Sequence, residues 1–136
     1  MKTHIADLVH QALAQLADQG VLPADAVQVP VIERTRDASH GDFASNAAMV
    51  HSKAARMRPR DLAERLVAAL PASDIVSAVE IAGPGFINFR LAGNAYFVQI
   101  PEIMRQGHSY GRSNLGAGKR VQVEFVSANP TGPLHV

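Results

Sequence analysis

Two short alternating runs, Val79-Glu80-Ile81 and Phe86-Ile87-Asn88-Phe89-Arg90-Leu91, flank Gly83-Pro84-Gly85. Alternation with a period of two sends one set of side chains to a core and the other outward, and the glycine-proline-glycine turn reverses the chain tightly. The stretch therefore predicts an antiparallel hairpin, in which Phe86 and Asn88 share one face and Ile87 and Phe89 the other. A chain organised around such a hairpin needs other elements to cover its apolar face, and the remaining sequence is rich in helical spacing.

Ile5, Leu8, Val9, Ala12, Leu13 and Leu16 recur at the period of an amphipathic helix, with Thr3 placed as an N-cap and Gly20 where a C-terminal cap sits. Val27 to Glu33 alternates like a half-buried strand, and Pro30 demotes it to a sheet edge. Asp42 is placed to cap a helix whose Phe43, Ala47, Val50 and Ala54 share a face. Pro59 opens a further helix at a position where its missing N–H costs nothing, and Leu62, Leu66 and Leu70 follow before Pro71. A last helix is expected from Asn94 to Gln106, kinked by Pro101 and ended by Gly107. Segregated strands and helices predict an α+β fold, a small antiparallel sheet packed against helices.

From Gly107 to Gly118 the chain loses periodicity, as a linker does, and Val121, Val123 and Phe125 then alternate as a strand that leads into Ser127-Ala128-Asn129-Pro130-Thr131-Gly132-Pro133. The expected division is a first domain over 1–107, a linker over 108–119 and a separate segment over 120–136. That segment has no later strands to pair with, so it is expected to be the start of a truncated second domain.

With 47% hydrophobic residues the chain can bury a core without staples, and the absence of cysteine excludes disulfides and thiolate metal sites. Polar residues interrupt the first twenty positions, which lack the apolar block of a signal peptide, and nothing approaches a membrane span; a cytoplasmic protein is expected. A formal charge of +1 gives no basic footprint, so any contact with nucleic acid must be local. Gly116-Ala117-Gly118-Lys119-Arg120 is not a phosphate loop, because Ser113 stands where the first glycine belongs and a strand is expected next. The six histidines show no pair at metal-ligand helical spacing, and no metal site is expected. A complete enzyme of another class would need paired catalytic groups that the sequence does not display.

Val123-Glu124-Phe125-Val126-Ser127-Ala128-Asn129-Pro130-Thr131-Gly132-Pro133-Leu134-His135-Val136 resembles the start of the catalytic domain in bacterial arginyl-tRNA synthetases. His40-Gly41-Asp42-Phe43-Ala44-Ser45-Asn46, Glu80 to Phe89 and Tyr110-Gly111 resemble, in order, the additional N-terminal domain of the same family. The resemblance implies a Rossmann-type catalytic domain beginning near residue 120. It makes His135 the first histidine of the ATP-binding signature, and it assigns Glu124, Ser127 and Asn129 to the substrate arginine. Glu124 suits a guanidinium through charge-assisted bonds, and Ser127 and Asn129 suit its amino and carboxylate ends.

For the N-terminal domain the resemblance implies contact with the D-loop of arginine tRNA, through Phe86 and Asn88. An aromatic can stack on a splayed base while an amide bonds its edge. Read without the family, Phe86 is a core side chain of the hairpin, Glu124 a solvent-facing strand residue, and Lys53, Arg56, Arg58 and Arg60 a solvated helix junction. Members of the family often have a Ser or Thr where Arg58 stands, and Pro101 is not part of the family pattern. ATP and magnesium are implied only for a full-length, monomeric arginine–tRNA ligase; this chain is expected to be catalytically incomplete and to hold no cofactor. The competing expectation is a structural or interaction module without useful RNA affinity by itself.

Overall fold

The structure, a computed structural model, describes residues 1–125 and Gly132. The elements run α1 (Lys2–Asp18), β1 (Ile32–Arg34), β2 (Phe43–Ser45), α2 (Ala47–Ala55), α3 (Pro59–Ala69), β3 (Val76–Ala82), β4 (Phe86–Leu91) and α4 (Gln99–Gln106). The four strands form one antiparallel sheet in the order β1-β2-β4-β3, so the predicted α+β architecture holds. Helices α1 and α2 each pack on α3, and all three pack on the sheet. The core between the layers contains Ile5, Leu13, Leu62 and Leu66 from the helices and Ile32, Ile87 and Phe89 from the sheet.

The buried residues of α1 are the six whose spacing predicts the helix. Its beginning differs from expectation. The Ile5 N–H already donates to Met1 O at 3.1 Å, Met1 is the cap, and Thr3 lies inside the helix. The end follows the glycine rule: Gly20, at φ +74°, lets the Gly20 and Val21 N–H groups reach Ala17 O and Leu16 O, both at 2.9 Å.

The strand expected over 27–33 is confined to Ile32–Arg34, on a sheet edge as Pro30 predicts. The preceding backbone is committed elsewhere: the Gln28 N–H donates to His51 Nε2 at 3.0 Å, and the Ser45 hydroxyl donates to Val31 O at 3.2 Å. Since the Gln28 amide can only donate, His51 carries its proton on Nδ1, which reaches Ala47 O at 2.7 Å. A buried histidine thereby pins the approach to β1 against α2.

Asp42 does not cap a helix. Phe43–Ser45 is a strand between β1 and β4, α2 begins only at Ala47, and the Asp42 carboxylate instead accepts the Leu91 N–H at 2.8 Å. A three-residue strand is too short to display alternation, and its apolar Phe43 mimics the first residue of the following helix. With the helix starting later, its buried residues are Ala47, Ala48, His51 and Ala55, and Val50 is exposed.

Pro59 stands at the first position of α3 as predicted, and Arg58 caps it without a side-chain bond. The β3–β4 turn packs on this helix start: a Cβ on Gly85, at φ +142°, would lie 2.9 Å from the Pro59 carbonyl, and Arg60 Nη1 donates to Gly83 O at 3.1 Å. Pro101 does not kink a long helix, because α4 begins at Gln99 and places the proline in its first turn, where no N–H is required. Val121 to Phe125 forms no strand and its apolar side chains are exposed. Isolated alternation cannot make a strand, since extended backbone needs a neighbouring edge to satisfy its N–H and C=O groups, and among the described residues this segment pairs with neither edge of the sheet.

Candidate nucleic-acid interface

The helices cover only one face of the sheet. On the opposite face the register aligns Glu33, Ala44, Asn88 and Glu80 across all four strands, with Phe86 one step along β4 beside Ala82. Ile87 and Phe89 are fully buried on the helix side, while Phe86 is 41% exposed. The predicted division of β4 into a core face and an open face is therefore observed.

Phe86, Asn88 and Ala44 form one side of an open groove of about 590 Å³, and the loop between β1 and β2 forms the other with Arg36, Asp37 and His40. Asn88 is 7% exposed, hemmed in by its cross-strand neighbours Ala44 and Glu80. Asn88 lines the groove, and among the described residues no side-chain hydrogen bond engages its amide.

The loop wall is held by several bonds. The Thr35 N–H donates to Asp42 O at 3.1 Å, the Thr35 hydroxyl donates to Gly41 O, and Arg90 Nη2 donates to Ser39 O at 3.3 Å. Gly41, at φ +83°, presses against β4 so closely that a Cβ would lie 2.7 Å from Phe89 O. The Ser39 N–H, donating at 2.8 Å, holds the Asp37 carboxyl below the usual carboxylate range. The rim is of mixed charge, Glu33 and Asp37 against Arg34 and Arg36, and suits a ligand with both polar edges and a phosphate.

Arg36, Asp37 and His40 carry no periodic signal, and only the loop's closure over the sheet brings them to Phe86. The one visible clue is the Asp37-Ala38-Ser39 turn chemistry followed by Gly41. Of the basic residues at the helix junction, Arg58 pairs with Asp61 at 2.9 Å and Arg60 bonds the hairpin turn, while Lys53 and Arg56, the latter ending α2 in a left-handed conformation, are exposed.

Glu124 is exposed in irregular backbone and does not line the groove, while Ser127, Asn129 and His135 lie outside the described residues. Among the described residues no cluster of three or more His, Asp or Glu side chains is placed to hold a metal, and no helix is long and apolar enough to cross a membrane.

Residues 3–91 match the sequence model of the family described as arginyl tRNA synthetase N terminal domain. The arginine–tRNA ligase of Halorhodospira halophila is 55% identical over 138 residues, covering 100% of this chain and 24% of its own length. That of Thioalkalivibrio sulfidiphilus is 55% identical over 136 residues, covering 100% of this chain and 23% of its own. This chain thus spans about a quarter of the length of these curated relatives. Among solved structures, Thermus thermophilus arginyl-tRNA synthetase matches with a TM-score of 0.57 at 21% identity, over 73% of this chain and 15% of that one. The Plasmodium falciparum enzyme gives 0.57 at 12%, over 68% and 16%, and both likenesses bear on the fold alone.

Proposed function

This chain belongs to the arginyl-tRNA synthetase family, whose N-terminal domain it carries, and from that premise we propose that it positions arginine tRNA by gripping the D-loop corner in the groove beside β4. The observation that carries the reading is the sheet face that no helix covers among the described residues, where an exposed Phe86 stands beside Asn88, whose amide has no hydrogen bond from a described side chain. Phe86 stacks on one splayed base, Asn88 bonds its edge, and Arg36 meets the adjoining phosphate. The rigid loop wall means that little ordering is needed when RNA arrives.

In the same reading, residues 1–107 are the tRNA-contacting domain, 108–119 the linker and 120–136 the start of a Rossmann-type catalytic domain in a monomeric cytoplasmic ligase. Val121 to Phe125 becomes a strand when the following strands supply its hydrogen-bonding edges. Glu124, Ser127 and Asn129 then hold the substrate arginine, and His135 begins the signature that binds ATP. Magnesium accompanies ATP in the full-length enzyme, which joins arginine to its tRNA. This chain by itself is catalytically incomplete.

The near-neutral charge supports a second reading, a module whose RNA affinity is too low to matter unless tethered to the rest of a synthetase. Titration of labelled arginine tRNA, at low and moderate salt, separates the two. Weak binding that falls about tenfold in Phe86→Ala and in Asn88→Ala, and with a D-loop-altered tRNA, supports the groove. Binding that is absent, or indifferent to all three changes, assigns RNA recognition to other domains.

A further inference from the structure

Helix α4 is amphipathic but covers nothing among the described residues. None of its residues is buried, and its only substantial neighbour among the described residues is the short 3-10 turn Gly107–Ser109 that follows it. Phe97, in the turn before the helix, and Ile100, Ile103 and Met104 on it recur at helical spacing and are 69%, 47%, 40% and 76% exposed, while Tyr96, 53% exposed, accepts a bond from Arg34 at 3.3 Å. The opposite side carries Glu102, Arg105 and Gln106, tied to one another by side-chain hydrogen bonds. A stripe of this size on an eight-residue helix and the turn that leads into it needs a covering surface, because so short a helix gains little stability from its own backbone bonds.

Two observations indicate what covers it. The family match ends at Leu91, before α4, so this helix stands outside the unit that the family shares as its N-terminal domain. Similarity to arginine–tRNA ligases nevertheless runs through α4 to cover 100% of this chain, and those relatives are about four times as long. We infer that the stripe formed by Phe97, Ile100, Ile103 and Met104 docks on an apolar surface of the synthetase body that follows the N-terminal domain. In this arrangement α4 is a hinge plate that sets the orientation of the groove beside β4 relative to that body. The inference rests on family membership and on exposure, and is independent of what the groove binds.

The chain has no cysteine, so a single introduced thiol reports directly on coverage. Met104→Cys and, separately, Ile100→Cys would be made in this chain alone and in this chain fused to the body of the Halorhodospira halophila ligase. Thiol alkylation at each site is then followed by mass spectrometry, with Lys53→Cys on α2 as an exposed control. Docking predicts alkylation about tenfold slower or more in the fusion than in the isolated chain at both α4 sites, with the control unchanged. Equal rates in the two contexts overturn the inference, as does a slowing in the isolated chain that grows with its concentration, which would make a second copy the occupant.

Discussion

The Leu91 N–H at the end of β4 donates to the carboxylate of Asp42, 49 positions earlier in the chain, at 2.8 Å, and the Asp42 N–H returns a bond of 2.8 Å to Phe89 O. This reciprocal pair seals the point where the groove's loop wall joins the sheet. Asp42→Ala leaves a partly buried amide without a partner and is expected to cost about 2 kcal/mol, read as a lower urea midpoint. Asp42→Asn keeps an acceptor and is expected to cost about half as much. Equal losses would mean that the negative charge, not the hydrogen bond, is what matters.

Gly41 and Gly20 both adopt positive φ, at +83° and +74°, but differ in surroundings: a Cβ on Gly41 would strike Phe89 O at 2.7 Å, whereas one on Gly20 meets nothing within 4 Å. Gly20→Ala should therefore cost only the backbone term of about 1 kcal/mol. Gly41→Ala adds steric displacement and should cost about 3 kcal/mol, with the loop pushed off β4. Urea melts give the costs, and amide exchange at Arg36 to His40 shows whether the wall has opened.

If Arg36 meets a phosphate, Arg36→Ala weakens tRNA binding and lowers the slope of log K against log salt by about one. Phe86→Leu, which preserves apolar bulk but removes the stacking surface, should weaken binding while leaving that slope unchanged. A shared response of both variants would show that the groove does not divide the work between a base and a phosphate.

In α4 the Glu102 carboxyl falls from 4.5 to about 2, chiefly because Arg105 donates to it at 2.8 Å and next because Gln106 also donates. A depressed folded-state value stabilises the helix above about pH 4.5, and that support is lost as the pH falls through about 2. The α4 amide and Cα chemical shifts should therefore move toward coil values across this interval in the native chain. Glu102→Gln should remove the pH dependence, and added salt should flatten it because the pair is exposed.

Local pattern was sufficient for a large part of the fold. The spacing from Ile5 to Leu16 determined which face of α1 is buried. The alternation around Gly83-Pro84-Gly85 determined the hairpin and the opposite faces of Phe86 and Phe89, and Pro59 marked the start of α3. Each of these depends on residues close in sequence, where helical or strand geometry alone dictates which side chains coincide.

Only the tertiary structure decided that Asp42 bonds Leu91, that Phe43–Ser45 is an inner strand, and that Arg36 and His40 face Phe86 across a groove. It also decided that Val121 to Phe125, alternating like a strand, forms none among the described residues. The reason is common to all four: a carboxylate accepts whatever N–H the fold delivers to it, and a short extended segment becomes a strand only beside a free edge. Those partners are set by the packing of distant elements, which periodicity in a short window does not encode.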